Sequence, residues 1–310
     1  MSATRAVVKT SPRSGGRSSA VPGNRVFSVE FFPPRSAEST ARLRTTWQRL
    51  ARLRPDFFSV TFGAGGSTRD KTLETALEIE QETGIEGVPH VSCIGYDVED
   101  VRQILRRYRD AGVRHLVALR GDLPSGSMGR GALRHANELV EFIRQETGDL
   151  FHIEVACYPE FHPQAPSAAA DLENFRAKVN AGASSAITQY FFNPDAYFRF
   201  TESCSALAID IPIVPGIMPI TNCTQLVRFS EACGAEIPRW ILKRLRDFGD
   251  DTASIRAFGI DVCTELCRTL LENGAPGLHF YSMNRYEAME AIWNNLGMDT
   301  FTTAAESIAR

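Results

Sequence analysis

Eight short apolar segments alternate with longer amphipathic segments along this chain, and this alternation restricts the fold more than any other feature. Each apolar segment has the length of a buried strand, and each is followed by apolar residues at helical spacing. The predicted strands cover residues 26–32, 57–61, 88–93, 115–119, 153–157, 186–189, 212–216 and 278–281. Eight strand–helix units predict a single-domain α/β protein, a (β/α)8 or TIM barrel.

The second choice is a doubly wound sheet, which also alternates strands and helices. A dinucleotide-binding sheet of that kind carries the pattern Gly-x-Gly-x-x-Gly directly after an early strand, and no such pattern follows the early strands of this chain. The chain has 310 residues, a length that suits one barrel, predicted over residues 25–310. The barrel is therefore favoured.

Charge and apolar content restrict the classes of partner. The chain carries 34 Lys and Arg residues against 37 Asp and Glu residues, so a net charge of −3 gives no case for nucleic acid or an anionic membrane. No apolar run approaches the length that spans a bilayer. The seven cysteines include no Cys-x-x-Cys pair, which favours buried thiols over disulfides or a zinc site. We expect a cytoplasmic protein without a metal ion.

Residues 1–24 differ in composition from the rest of the chain. They are rich in Ser, Gly, Arg and Pro, contain no acidic residue, and lack the apolar segment of a secretory signal. A basic disordered tail is predicted for them, with a transit peptide as the alternative.

Polar residues follow almost every predicted strand. The carboxyl ends of the strands of a barrel meet at one face, where ligands bind, so these side chains should share one mouth. Taken singly, each has an ordinary structural explanation, such as a solvated edge or a helix cap. The residues are Glu30, Thr61, His90, Arg120, Asp122, Tyr158, Glu160, Gln189, Tyr281, Asn284 and Arg285.

Two of these strand ends carry specific expectations. Glu30 has aromatic residues and proline as sequence neighbours, and an apolar setting favours a neutral carboxyl group that can act as a general acid. After the fourth strand come Arg120, Gly121 and Asp122, where the glycine would let the backbone approach a ligand closely. The alternative for that tripeptide is a surface turn with a local Arg–Asp pair.

Eight motifs together resemble the methylenetetrahydrofolate reductase family, in order and at matching spacing over residues 26–297. They are FSVEFFPPR at 27–35, SVTFGA at 59–64, PH at 89–90, ALRGDLP at 118–124, YPEFHP at 158–163, AITQYFF at 186–192, PGIMPI at 215–220 and HFYSMNR at 279–285. The resemblance implies a flavin-dependent barrel that reduces 5,10-methylenetetrahydrofolate to 5-methyltetrahydrofolate, which supplies methyl groups for methionine synthesis.

The resemblance also assigns residues to roles. Glu30 would protonate N10 of the folate, which opens the ring to an iminium that reduced FAD converts by hydride transfer. Asp122 would lie beside the flavin and set its potential. FAD would be held by Thr61, Phe62, Ala64, His90, Arg120, Gly121, Asp122, Ala136, Tyr158, His162, Ala165, Asp171, Asn174 and Lys178. Folate would contact Glu30, Gln189, Gln225, Phe229, Tyr281, Met283 and Arg285.

Three positions bear on how tightly FAD would be held. Lys178 suits a counter-charge for the FAD pyrophosphate, although a solvated helix face would explain it without the resemblance. Phe62 stands where relatives are expected to carry tyrosine, and Ala177 stands where a basic residue would contact phosphate. We expect FAD to be held more weakly for both reasons. The chain stops soon after its last predicted helix, so we expect the carboxyl-terminal regulatory domain of eukaryotic relatives to be absent. Inhibition by S-adenosylmethionine is therefore not expected.

Two other functions are compatible with the residues alone. One is a flavin-free barrel lyase or methyltransferase acting on a pterin or small acid, and the other is a barrel that binds folate or flavin without turnover. The sequence does not distinguish NADH, NADPH or an electron-carrier protein as the donor, and it leaves a homo-oligomer open.

Overall fold

The computed structural model describes residues 25–62, 66–121 and 131–298. Within these residues, short parallel strands alternate with helices. The strands are β1 (Val26–Phe31), β2 (Phe57–Val60), β3 (Glu86–Ser92), β4 (His115–Leu119), β5 (His152–Cys157), β6 (Ser185–Thr188), β7 (Ile213–Val214), β8 (Gly216–Ile217) and β9 (Gly277–Tyr281). The predicted tail at residues 1–24 lies outside the described residues.

The strands close into a barrel. Each of β1 to β6 pairs in parallel with the next strand, and β9 returns to pair with β1. β7 pairs with β6 and β8 pairs with β9, so these two short strands on either side of Pro215 fill one position in the ring. The predicted seventh strand is thus divided, because proline has no N–H to donate to a neighbouring strand.

Helices cover the outside of the barrel. They are α1 (Ala37–Leu50), α2 (Gly66–Thr83), α3 (Val98–Asp110), α4 (Ala136–Thr147), α5 (Ala168–Asn180), α6 (Pro194–Ala206), α7 (Cys223–Cys233), α8 (Arg239–Asp247), α9 (Thr252–Glu272) and α10 (Glu287–Asn295). In α3 the Asp97 side chain caps the first turn by accepting from the Asp100 N–H. Val101, Ile104, Leu105 and Tyr108 then bury one face at helical spacing, as the sequence predicted.

Alternation along each strand separates two cores. In β1, Val29 and Phe31 are fully buried and pack with the helices, and the Phe31 and Phe58 rings lie 5.2 Å apart. A smaller cluster of Phe57, Val88, Val117 and Ile187 fills the barrel interior. Polar strand residues share that interior, and their positions decide where the functional sites lie.

The predicted barrel is confirmed, and the structure defines the helices around it in more detail. The first helix ends at Leu50 and continues as a short 3-10 turn, Ala51–Leu53. Three helices, α7, α8 and α9, lie between β8 and β9. All seven cysteines are free thiols, and five of them are buried. Among the described residues, no helix is long and apolar enough to cross a membrane.

Candidate active site

Glu30 lies near the carboxyl end of β1, and its carboxylate points into the barrel. One oxygen is 3.6 Å from Nε2 of His90 on β3 and 3.8 Å from Nε2 of His279 on β9. The Glu30 side chain keeps 14% of its surface exposed, whereas both imidazoles are buried. The carboxyl group therefore has its inner side against two histidines and an outer edge open to the mouth of the barrel.

The two histidines differ in their surroundings: His279 is bonded by the neighbouring strand β1, whereas both ring nitrogens of His90 are buried without a hydrogen-bond partner among the described residues. The Ser28 hydroxyl lies 2.7 Å from Nδ1 of His279, within hydrogen-bond distance. Burial lowers the pKa of His90 to about 4, and the nearby Glu30 carboxylate offsets only part of that effect. His90 is thus neutral near neutral pH, and its contact with Glu30 joins a carboxyl group to an uncharged imidazole rather than forming an ion pair.

The apolar setting expected for Glu30 is incorrect. Its sequence neighbours Val29 and Phe31 face the helices, because successive side chains of a strand point to opposite sides. The groups that surround the carboxylate come from other strands and are polar. The Glu30 carboxyl group is shielded by the barrel and still reaches the mouth, and its role in proton transfer stays a prediction.

Tyr281 completes this part of the mouth. It lies beside Glu30 in the β1–β9 register, and its hydroxyl donates to the Thr188 carbonyl at 2.7 Å. Burial, reinforced by the Glu30 carboxylate, raises the pKa of Tyr281 well above its usual range. The phenol therefore stays protonated and joins the end of β6 to the Glu30 side of the barrel.

A second cavity opens beside β4 and β5, with a volume of about 460 Å³. It brings together most of the residues that the sequence analysis assigned to FAD. The assigned residues that line it are Arg120, Gly121, Ala136, Tyr158, His162, Ala165, Asp171, Asn174 and Lys178. We call this cavity the β4–β5 cleft.

The β4–β5 cleft suits an anion. Arg120 and Lys178 contribute two cationic side chains, and the 12-residue helix α4 begins at its rim with Ala136. The amides of a first helical turn and the helix dipole both favour negative charge. The Lys178 ammonium donates to the Ala156 carbonyl, and burial lowers the pKa of Lys178. An anion in the cleft would counter that burial effect.

Two chain segments give the cleft its shape. Gly121 has φ +84°, and a Cβ built on it would lie 2.0 Å from the Ser92 hydroxyl oxygen, which itself bonds the Arg120 carbonyl. Glycine is therefore favoured there by its positive φ and by the Ser92 side chain, a reason that was not predicted from the sequence. On the other side, the Asp171 carboxylate accepts from the His162 N–H at 3.0 Å and holds the loop after β5.

The residues predicted to bind folate come from β1, from the chain after β6, from α7 and from the end of β9 with the turn that follows it. Gln189 follows β6, and its side-chain oxygen accepts from the Tyr190 N–H at 2.9 Å. Gln225 and Phe229 are on α7, and the guanidinium carbon of Arg228 lies 5.9 Å from the centre of the Phe229 ring. Arg285 is exposed after β9.

The turn after β9 is fixed to the end of β1. Met283 and Asn284 both have left-handed backbones, with φ of 53° and 55°. The Asn284 side chain accepts from the Phe32 N–H at 2.8 Å and donates to the Phe32 carbonyl at 2.9 Å. Strained residues of this kind persist where the surrounding structure holds them and cluster at functional sites. Met283 and Arg285 are therefore presented from a rigid turn.

Of the four remaining predicted residues, two lie within the described part of the chain and two lie outside it. Thr61 and Phe62 follow β2, and the Phe62 ring packs edge-on against Tyr96 with centroids 5.7 Å apart. Ala64 and Asp122 lie outside the described residues, so their roles stay predictions.

Sequence reasoning missed several residues of the site. His279 contacts Glu30, and Ser28 supports His279, yet neither was assigned a role. Ser28 lies two residues before Glu30 on β1, and His279 lies two residues before Tyr281 on β9. Because residues two apart on a strand point to the same side, both could have been predicted to face the site. The cleft is also lined by seven residues without an assigned role, namely Ala118, Leu119, His135, Asn137, Ala156, Gln164 and Pro166.

A family model and individual relatives point to the same family. Residues 17–297 match the family model described as methylenetetrahydrofolate reductase. The chain is 41% identical over 271 residues to 5,10-methylenetetrahydrofolate reductase of Escherichia coli (strain K12), covering 87% of this chain and 90% of the relative. It is 36% identical over 289 residues to methylenetetrahydrofolate reductase (NADH) 1 of Arabidopsis thaliana, covering 89% of this chain and 49% of the relative.

One solved structure has a similar fold at low sequence identity. It is an uncharacterized protein from Clostridium thermocellum described as binding two copies of 5-methyl-5,6,7,8-tetrahydrofolic acid, with a TM-score of 0.62 and 17% identity. The match covers 89% of this chain and 94% of that protein, and it supports the fold alone.

Proposed function

This chain belongs to the methylenetetrahydrofolate reductase family and reduces 5,10-methylenetetrahydrofolate to 5-methyltetrahydrofolate, and we propose that it does so with FAD in the β4–β5 cleft and Glu30 as the proton donor. The position of Glu30 carries this proposal. It is the carboxyl group that the barrel shields on its inner side while leaving an edge open at the mouth.

The β4–β5 cleft fits a dinucleotide cofactor by its chemistry. Arg120, Lys178 and the amino terminus of α4 would hold the pyrophosphate, since all three favour anionic oxygens. Tyr158 and His162 offer flat surfaces, with ring centroids 4.7 Å apart in an edge-on pair. When bound, FAD would supply hydride chemistry that no side chain can provide.

Glu30 would transfer a proton to N10 of the folate. Methylenetetrahydrofolate in its closed form is a poor hydride acceptor, and protonation at N10 opens the five-membered ring to an iminium. His90 and His279 lie against the carboxyl group on its inner side, so the open edge of the carboxyl group faces the mouth. Because His90 is neutral, it places no cation beside the carboxyl group that would favour the ionised form.

The folate itself would extend across the mouth from Glu30 toward α7. Gln189 and Arg285 would hold it by hydrogen bonds, and Gln225, Tyr281 and Met283 would contact it. Phe229 would offer an aromatic face for stacking, which every pterin or nicotinamide ring can use. Asp122 would lie near the flavin and oppose its gain of electrons.

The electron donor proposed is a reduced nicotinamide, NADH or NADPH, with an electron-carrier protein as the alternative. The named Arabidopsis relative is an NADH-type reductase, which favours NADH. The product would supply methyl groups for methionine synthesis. A cytoplasmic location and the formation of a homo-oligomer stay predictions.

An anaerobic experiment with two half-reactions tests the proposal. The purified protein should be yellow, should lose its flavin absorbance when mixed with NADH or NADPH, and should recover it when methylenetetrahydrofolate is added. A colourless protein that nevertheless reduces folate would refute the role of FAD. Flavin that no nicotinamide reduces, but that a reduced carrier protein does, would refute the nicotinamide donor.

A further inference from the structure

The amino-terminal rim of the barrel, opposite the active site, holds a second group of buried titratable side chains. Glu86, His115, His152 and Ser185 are the first residues of four adjacent strands, β3 to β6. Glu154 lies two residues into β5. The register places His115 beside His152 and Glu154 beside Ser185, so residues that are distant in the sequence meet at one rim.

Three of these residues present their ligand atoms to one point. Nε2 of His115 lies 3.5 Å from Oε1 of Glu154, and Nε2 of His152 lies 3.6 Å from the same oxygen. The ligand atoms of all three residues fall within 4.8 Å of one another. In a tetrahedral zinc site, bonds of roughly 2.0–2.2 Å place neighbouring ligand atoms roughly 3.3–3.6 Å apart. The two short separations match that geometry.

Two atoms of the cluster are buried without a hydrogen-bond partner. Glu154 and His115 are only 3% and 8% exposed, yet Oε2 of Glu154 and Nε2 of His115 have no partner among the described residues. The 3.5 Å approach between these two side chains does not satisfy hydrogen-bond geometry. Buried polar atoms are rarely left unpaired, because each costs the free energy of its lost hydration. A cation between the three side chains would satisfy Nε2 of His115 directly and would place a positive charge beside the Glu154 carboxylate.

Supporting groups around the cluster also fit a metal. Nδ1 of His115 lies 3.3 Å from the Glu86 carboxylate, and an imidazole that donates to a carboxylate turns its other nitrogen toward a metal. The His152 side chain is 46% exposed, which provides an entry path for an ion. Nε2 of His152 lies 2.6 Å from the Ser185 hydroxyl, a bond that coordination would replace.

We propose that His115, His152 and Glu154 form a binding site for a divalent first-row transition metal, with Zn²⁺ as the preferred ion. Nitrogen and carboxylate ligands in a tetrahedral arrangement suit zinc. The ion would link β4 to β5 at the face of the barrel that serves stability rather than chemistry. No local His or Cys spacing in the sequence indicates these three residues together, so no metal ion was predicted from it.

Zinc binding by the full chain tests the site directly. Protein treated with a chelator and then dialysed should take up one Zn²⁺ per chain in competition with a chromophoric chelator, and its melting temperature should rise with zinc concentration. Co²⁺ should bind with the visible absorption of a four-coordinate ion. Absence of saturable Zn²⁺ and Co²⁺ binding would overturn the proposal and leave the cluster as a network of ion pairs.

Variants locate the ion. His152→Gln and Glu154→Gln should each weaken Zn²⁺ binding by at least about tenfold, whereas the matched change Glu141→Gln, on the exposed face of α4, should not. His152 is half-exposed, so its substitution tests the site even if Glu154→Gln impairs folding. Unchanged affinity in a folded His152→Gln protein would place the ion elsewhere and overturn the assignment.

Discussion

The Glu30 carboxylate and the His90 imidazole lie 3.6 Å apart, and the imidazole of this pair is uncharged near neutral pH. A protonated histidine at this distance would favour the ionised carboxylate and oppose proton donation. Burial of His90 under the mouth of the barrel prevents that. The arrangement therefore places no cationic imidazole from His90 beside the carboxyl group that we propose as the proton donor.

Glu30→Gln should separate the two half-reactions. The amide keeps the size and hydrogen bonding of the side chain but cannot donate the proton that folate reduction requires. We expect a yellow, folded protein whose flavin is still reduced by nicotinamide, with reoxidation by methylenetetrahydrofolate slowed by about 10²–10⁴-fold. Stopped-flow absorbance under anaerobic conditions measures both steps. Normal reoxidation combined with impaired flavin reduction would assign Glu30 to the nicotinamide step instead.

Lys178→Met should weaken FAD binding. The substitution keeps an unbranched side chain in the β4–β5 cleft and removes the ammonium that would pair with phosphate. A hydrogen bond to a charged group contributes about 1.5–3 kcal/mol, so the dissociation constant of FAD should rise about 10–100-fold. Titration of apoprotein with FAD, followed by flavin fluorescence, measures the change. Lys243→Met on the exposed side of α8 is the control and should bind FAD normally.

Gly121→Ala should destabilise the protein more than Gly112→Ala. Both glycines have similar positive φ angles, +84° and +87°, so both substitutions carry the same backbone strain of about 1 kcal/mol. Only at Gly121 does the new Cβ meet other groups, the Ser92 hydroxyl at 2.0 Å and the Ile94 side chain at 2.9 Å, while Gly112 has nothing within 4 Å.

The extra cost at Gly121 should be about 1–2 kcal/mol in the free energy of unfolding, since Ser92 must give up its bond to the Arg120 carbonyl. Urea unfolding of both variants measures the difference. Flavin content should fall only in Gly121→Ala, because Arg120 lines the cleft. Equal destabilisation by the two substitutions would mean that the Ser92 contact is relieved at little cost.

Because of His90, the free energy of unfolding should decrease as the pH falls from about 6.5 toward 4. Its pKa is about 4 in the folded protein because of burial, against an ordinary value of 6.5, so over this interval the unfolded chain binds a proton that the folded protein does not. The contribution of His90 to the free energy of unfolding is therefore complete above the unfolded pKa and declines by up to about 1.4 kcal/mol per pH unit below it.

Comparison of the unmodified protein with His90→Gln over this pH interval checks the assignment. Glu30 and His279 face His90 from β1 and β9 and are retained in both proteins. The unfolding free energy of the variant should fall less steeply with acid. Parallel pH profiles for the two proteins would show that His90 titrates freely in the folded state.

The strands and their order could be predicted because buried strands produce apolar runs of characteristic length. The meeting of Glu30, His90 and Tyr281 followed from the same prediction, since the carboxyl ends of barrel strands share one mouth. The environment of Glu30 within the barrel was predicted wrongly. Glu30 was assigned an apolar environment from its sequence neighbours, although in a strand those neighbours point away from it.

Other features depend on contacts between distant segments. The requirement for glycine at residue 121 comes from Ser92, on another strand, and no local pattern contains it. The cluster of His115, His152 and Glu154 at the amino-terminal rim likewise arises from the pairing of β4 with β5. Such features follow from register, which a single sequence leaves undetermined until the strands are paired.

The pairing of β1 with β9 has a consequence for how the enzyme is made. Among the described strands, Glu30 belongs to the first to leave the ribosome, whereas His279 and Tyr281, which lie around it, belong to the last. During synthesis, the first strand must wait with an unpaired edge until about 250 further residues have been translated, at roughly 5–20 residues per second. A nascent chain that lacks β9 can therefore have neither a closed barrel nor a complete proton-donating site.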